Sequence, residues 1–148
     1  MSGAGSAPPS EEPAPVLVLE DDRTTAALIA RVLAATNMVN PVELFASGKE
    51  AIDYLERVPG AALAPVLLVL DLSLPDVSGL DVLRRVRARS ELDGVAVVML
   101  SGSVDDENIE RAYDVGIDAY LVKPAGIHGL PDVVRGLGLP YILLARSA

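Results

Sequence analysis

From Val16 onward the sequence predicts an α/β fold: a doubly wound, five-stranded parallel sheet with helices on both faces. Three observations carry that reading. Short apolar runs of strand length alternate with longer stretches of helical period, the signature of successive βα units. The second, third and fourth of those runs look apolar on both faces, as strands do when helices cover both sides of a sheet. The chain has 148 residues with 51% hydrophobic character, enough for one well-buried core but not comfortably for two.

Residues 1–14 are rich in Gly, Ser, Pro and Ala, a composition that buries nothing, and are expected to form a disordered tail. The folded domain is expected over residues 15–138 and an apolar extension over 139–148, with no separate output domain. The first strand is expected at Val16–Leu19. It is followed by a helix over Arg23–Ala35, where Ala26, Ile29, Ala30 and Leu33 recur at helical spacing. A second strand, Val42–Phe45, leads to a helix over Lys49–Val58 that opens on Ser47 and Glu50, a capping-box pair. The third strand, Val66–Leu70, precedes a helix at Leu80–Arg89 with Leu80, Leu83 and Val86 turned inward. After the fourth strand, Val95–Leu100, Ser103 is the expected N-cap of a helix over Asp105–Val115 that Gly116 ends. The fifth strand is Ala119–Val122. A last helix over Ile127–Leu137 is weakened by glycines at 126, 129 and 136.

Charge and composition narrow the function. A net charge of −9 and a pI near 4.4 argue against nucleic-acid binding, whose affinity comes largely from Lys and Arg on phosphates, so partners should be proteins or ions. With no cysteine, neither a disulfide framework nor a thiolate metal site is available. No apolar run approaches membrane-spanning length, and the N-terminus lacks the basic start and apolar core of a secretory signal, so a cytoplasmic location without membrane contact is expected.

In an open parallel sheet, ligands bind beyond the carboxyl ends of the strands, near the point where strand order reverses. The first expected strand ends in Glu20-Asp21-Asp22, the third in Asp71, the fourth in Ser101-Gly102 and the fifth in Lys123-Pro124. Carboxylates, a hydroxyl and an ammonium therefore converge on one sheet edge from distant parts of the sequence. Carboxylates at close range are costly unless protonated or neutralised, and an oxygen-rich site with few protein ligands suits Mg²⁺ (or Mn²⁺), which keeps several waters. With such an ion in place, an aspartate carboxylate can attack a phosphoryl donor while a lysine absorbs charge on the equatorial oxygens. A serine hydroxyl at the next strand end can hydrogen-bond the new phosphoryl oxygen, and Gly102 leaves room for that group beside the backbone.

Over about residues 16–137 the chain resembles the receiver domains of bacterial response regulators, the CheY-like group. The motifs are VLVLEDD at the first strand end, LDLSLPDVSG around the third, VVMLSGS at the fourth and AYLVKP at the fifth. Any one is weak alone; all four in this order and spacing are specific. The resemblance implies a flavodoxin-like strand order of 2-1-3-4-5, borrowed from single-domain members rather than derived. It implies that Asp71 is the phosphoacceptor and a metal-site residue, that Asp21 is a direct metal ligand with Glu20 helping through water, and that the Ser73 carbonyl is a further ligand. It also implies that Ser101 is the switch hydroxyl, that Lys123 pairs with the phosphoryl group across a cis Lys123-Pro124 bond, and that Tyr120 is the aromatic residue whose rotamer follows the switch. Many relatives have Thr at the position of Ser101 and Asp at that of Glu20; the extra methylene of Glu20 favours water-mediated contact with the ion.

The function this implies is a stand-alone regulator in a two-component phosphorelay. A sensor histidine kinase or phosphotransfer protein donates to Asp71, and the surface near the fourth helix and fifth strand changes its partners. The chain would catalyse only its own phosphoryl acceptance and dephosphorylation, so it is not expected to be an enzyme in the usual sense. Two alternatives come from other classes. A pseudo-receiver that acts without phosphorylation should have lost an acidic, hydroxyl or lysine group, and none is lost. An aspartyl-phosphate phosphatase would want a second carboxylate shortly after the nucleophile; Ser73 and Leu74 follow instead, and the next acid is Asp76, after Pro75.

Other features weigh less. Arg84, Arg85, Arg87 and Arg89 form a basic run that could steer an acidic partner, although adjacent helical positions face different ways. His128 is expected at the surface with no role. Ser73 and Ser103, each two residues beyond a site residue, are expected to tune hydrolysis through water access. The segment Leu137–Leu144 (LGLPYILL) is more apolar than a solvated tail should be. Together with ENIERAYDVGIDAYLVKP, it resembles the single-domain receivers that accompany bacterial phytochrome kinases, although Pro140 departs from their form. A homodimer buried partly through this segment is the corresponding expectation.

Overall fold

The computed structural model describes residues 13–60 and 63–139. Five strands, β1 (Val16–Leu19), β2 (Val42–Phe45), β3 (Leu67–Asp71), β4 (Ala96–Ser101) and β5 (Ala119–Val122), alternate with α1 (Arg23–Ala34), α2 (Gly48–Glu56), α3 (Gly79–Arg87), α4 (Asp106–Val115) and α5 (Ala125–Gly136). All strand pairs are parallel, in the order β2-β1-β3-β4-β5, which is the expected 2-1-3-4-5 arrangement. Order reverses between β1 and β3, so the crevice at their carboxyl ends is where a ligand would enter.

Side-chain alternation along the strands divides the core in two. Leu17, Leu19, Leu68, Leu70, Val97 and Met99 point to the face covered by α2, α3 and α4, where they meet Ile52, Leu55, Leu83, Val86 and Ala112. Val16, Val18, Leu67, Val69, Val98 and Leu100 point to the opposite face, packing on Ile29 and Leu33 of α1 and on Ile127, Leu130 and Val134 of α5. Fully burying each such aliphatic side chain stabilises the fold by about 1.5–3 kcal/mol.

The structure departs from the sequence reading at several points. The strands buried along their whole length are β1, β3 and β4, whereas in β2 Glu43 and Leu44 are exposed, because β2 lies at the edge of the sheet. Strands β3 and β4 are displaced by one residue, so Asp71 and Ser101 are the last residues of strands rather than the first beyond them. The N-cap of α4 is Asp105, which accepts from Glu107 N–H; Ser103 instead accepts from the Asp105 N–H one turn earlier. Ala30 is only half-buried. Helix α5 begins at Ala125 and contains Pro131 as well as its glycines, all contrary to helical propensity. Tertiary packing overrides that propensity: a Cβ on Gly126 would lie 2.7 Å from the Leu121 Cβ, so glycine lets α5 rest directly on β5. The 3₁₀ turn at Ser90–Leu92 was not anticipated.

The expected apolar extension falls mostly outside the described residues. Leu137 and Leu139, its beginning, pack against the α1/α5 side of this domain's own core. Residues 1–12, the bulk of the expected tail, also lie outside, while Ala14 accepts a hydrogen bond from Asn40 Nδ2 and Pro15 one from Val66 N–H.

Candidate functional site

Strand register determines which residues share the edge. Leu19 is level with Leu70, so Glu20 lies beside Asp71; Asp71 is level with Leu100, one residue before Ser101; and Ser101 is level with Val122, one before Lys123. Two backbone bonds fix these ends: Glu20 N–H donates to Phe45 O at 3.0 Å and Lys123 N–H to Ser101 O at 2.8 Å. The peptide bond between Lys123 and Pro124 is cis, as the resemblance implied.

Glu20, Asp21 and Asp71 each present a carboxylate oxygen within 4.8 Å of the others. Asp21 is exposed, whereas Glu20 and Asp71 are 4% and 6% exposed, which makes their charge expensive unless it is neutralised. Lys123 supplies part of that neutralisation. Its Nζ donates to Glu20 Oε1 at 2.5 Å and lies 3.3 Å from Asp71 Oδ2. Burial raises the pKa of Glu20, opposed by the bonds from Lys123 and from Asp22 N–H. Burial also works against the Lys123 ammonium, but the bond to Glu20 and the charge of Asp71 prevail and hold its pKa above the ordinary value. One cation between three carboxylates leaves the cluster net negative, and its all-oxygen donor set is that of a hard divalent cation such as Mg²⁺ or Mn²⁺. The residues present therefore fit such an ion.

The acidic tripeptide divides its labour. Asp22 is the N-cap of α1, accepting from both the N–H and the hydroxyl of Thr25, and those bonds lower its pKa. Glu20 and Asp21 remain to face Asp71. Ser73 is exposed on the loop after β3 and donates its N–H to Asp71 Oδ1 at 3.1 Å. Ser101 is 2% exposed, and its Oγ accepts the Ser103 N–H at 3.0 Å. The Ser103 carbonyl in turn accepts from the Tyr120 hydroxyl at 3.1 Å. A short hydrogen-bonded chain thus runs from the hydroxyl at the end of β4, through the β4–α4 loop, to the ring on β5. A Cβ on Gly102 would meet nothing within 4 Å, so open space adjoins the loop there.

Two residues that shape the site were not assigned to it from sequence. Gly79 opens α3 against the end of β3: a Cβ there would fall on the Asp71 carbonyl oxygen and 2.8 Å from Leu72 Cα. The available signal was the Ser-Gly pair at the start of an apolar-periodic helix. Asp76, weighed above only as a possible general acid, accepts the N–H groups of Gly48 and Lys49, each at 2.9 Å, at the start of α2. Those backbone bonds lower its pKa, the opposite of what a proton donor requires. The basic run also dissolves. Arg84 and Arg85 pair with Asp81 and Glu56 at the surface, while Arg87 and Arg89 donate to backbone carbonyls. His128 is exposed.

Comparison with known proteins agrees with this geometry. Residues 16–135 match the response regulator receiver domain family. A probable methanogenesis regulatory protein, FilR2 of Methanothrix harundinacea, is 33% identical over 127 residues, covering 85% of this chain and 82% of that protein. Among solved structures, the bacteriophytochrome response regulator AtBRR is 33% identical with a TM-score of 0.73, covering 91% of this chain and 99% of that one. The phosphorylated cyanobacterial phytochrome response regulator RcpA is 29% identical with a TM-score of 0.71, covering 86% and 94%. With the receiver match spanning nearly all of the described fold, and with the acidic cluster, hydroxyl and lysine at the strand ends, the chain belongs to the response regulator receiver domain family.

Proposed function

We propose that this chain is a stand-alone phosphorylation switch, in which Asp71 accepts a phosphoryl group from the phosphohistidine of a sensor histidine kinase or phosphotransfer protein. The observation that carries the reading is the setting of Asp71: a buried carboxylate within 4.8 Å of two others and 3.3 Å from an ammonium. A carboxylate oxygen of Asp71 attacks phosphorus as the P–N bond breaks, and the departing imidazole takes up a proton. A divalent ion bound by Asp21, Asp71 and the Ser73 carbonyl, with Glu20 acting through water, would supply positive charge at the phosphoryl oxygens. Lys123, already 3.3 Å from Asp71, supplies a further cation there. Ser101 still has its own O–H to donate, because its contact with Ser103 uses only an acceptor lone pair. Drawing Ser101 toward a phosphoryl oxygen pulls on Ser103 and so on Tyr120, carrying the change to the β5 surface. The likeness to bacteriophytochrome response regulators, one of them solved in phosphorylated form, supports this reading.

Intact mass after incubation with acetyl phosphate and Mg²⁺ tests it. Wild type should gain one base-labile phosphoryl group, and Asp71→Asn should gain none. Absence of any gain in wild type with acyl phosphate or phosphoramidate donors would overturn the reading in favour of a phosphorylation-independent interaction module.

A further inference from the structure

The two halves of the acidic cluster come from different strands, Glu20 and Asp21 from the end of β1 and Asp71 from the end of β3. A chain of hydrogen bonds joins them on the side away from Lys123. Glu20 N–H is bonded to Phe45 O at the end of β2; three residues on, α2 begins; and the N–H groups of Gly48 and Lys49 are both bonded, at 2.9 Å, to the carboxylate of Asp76 on the loop that follows Asp71. This contact is closely fitted. A Cβ on Gly48 would lie 3.1 Å from Val77 Cβ, so glycine lets the loop press against the helix start. At the loop's far end, Gly79 lets α3 begin on the backbone of Asp71 and Leu72, and Gly79 N–H donates to Leu72 O at 2.9 Å. The loop bearing Ser73 is thereby closed on itself by the Gly79–Leu72 bond and tied to α2 through Asp76.

We infer that Asp76 is a positioning residue for the divalent-ion site: by latching the β3–α3 loop to the N-terminus of α2, it fixes Asp71 and Ser73 relative to Glu20 and Asp21. The inference rests on the reading of this cluster as a metal site. Helix α2 provides its own control, because the bond by which Ser47 caps it, accepted from the Glu50 N–H at 3.2 Å, lies within the helix start and does not involve the loop. Ser47→Ala and Asp76→Ala each remove a cap from the same helix start, but only the second releases the loop.

The experiment is titration of the full chain with Mn²⁺, followed by paramagnetic resonance of the free ion, alongside thermal unfolding without metal. Asp76→Ala should weaken Mn²⁺ binding by about tenfold, a change typical of losing a residue that orients ligands. Asp76→Asn, which keeps one acceptor, should fall between, and Ser47→Ala should stay within about twofold of wild type despite a comparable drop in unfolding temperature. Equal weakening by Asp76→Ala and Ser47→Ala would reduce Asp76 to an ordinary helix cap and overturn the inference, as would unchanged affinity in Asp76→Ala. If the alanine variant fails to fold, Asp76→Asn against Ser47→Ala makes the same comparison. The readout needs no phosphoryl transfer. A wild type that binds Mn²⁺ but is never phosphorylated overturns the proposed function and leaves this inference standing; a wild type that binds no Mn²⁺ overturns the inference.

Discussion

Two charged regions at opposite ends of the sheet make an instructive contrast. At the carboxyl edge, Glu20 and Asp71 share one ammonium, that of Lys123, with the Asp21 carboxylate close by, and the group remains net negative. Near the C-terminus of α3, the arginine run shows the reverse condition. Arg87 Nε donates to Gly116 O at 2.9 Å, Nη1 to Val95 O at 2.8 Å, and Nη2 pairs with Asp118 at 3.4 Å. Arg89 spans Leu55 O, Val58 O and Glu91. Both regions are dense in like charge along or across the chain, but in one the charge exceeds its single counter-ion and in the other it is fully engaged. The first condition invites an ion; the second holds helix ends to the sheet.

The contrast is broken most forcefully at Arg87. Replacing it by Ala strips partners from Gly116 O and Val95 O, breaks the ion pair with Asp118, and removes a side-chain stem that packs against Gly116. Charge-assisted hydrogen bonds with half-buried partners give an expected loss of about 2–3 kcal/mol. Chemical denaturation should show that loss while Mn²⁺ affinity stays at the wild-type value. A fall in metal affinity as large as the fall in stability would mean that the two regions are not independent, and the contrast would fail.

How far the sequence made this contrast legible depends on the kind of signal. Continuous apolar runs such as Leu67–Leu70 and strand-end acids such as Asp71 are written into consecutive residues, so fold and cluster could be read directly. Whether Arg87 meets solvent or a carbonyl depends on residues 8 to 31 positions away, which no local pattern records. Asp76 was unreadable for the same reason, since its partners are 27 and 28 residues distant. The exposure of β2 was misjudged even though the order 2-1-3-4-5 put that strand at the edge: VELF was read as apolar on both faces, and an edge position leaves Glu43 and Leu44 exposed. Helix α5 shows the limit of propensity: Gly126 weakens an isolated helix, yet its missing side chain is what allows packing on Leu121.

A smaller effect sharpens the acidic side. Lys123→Met keeps much of the stem but deletes the only ammonium paired with Glu20 and Asp71 among the described residues. The metal-free fold should lose about 1–2 kcal/mol, because buried carboxylates are left facing each other. Affinity for Mn²⁺ should rise a few-fold, since the ion no longer competes with a resident cation. The sign with pH follows from the raised Lys123 pKa: its contribution is fully present below the unfolded value of about 10.4 and is lost as pH climbs through the higher folded value. Comparisons at pH 7–8 therefore report the whole effect. If Mn²⁺ affinity instead fell, Lys123 would be organising the carboxylates rather than competing for them.

The least effect belongs to the outward half of the arginine run. Arg84 and Asp81 pair at 2.9 Å and Arg85 and Glu56 at 3.2 Å, with all four side chains more than half exposed. Such pairs gain little in water and lose side-chain entropy, so Arg84→Ala and Arg85→Ala should each change stability by less than about 0.5 kcal/mol. Raising the salt from 0.05 to 0.5 M should leave that difference near zero, because screening has almost nothing to remove. A salt-dependent loss above 1 kcal/mol would place these residues with Arg87 and Arg89 as fastenings of the fold. A stability loss near zero, paired with slower phosphorylation by a kinase, would return them to the role of steering an acidic partner. The four arginines are neighbours in sequence, and only the carbonyls within reach of each guanidinium separate the inner pair from the outer one.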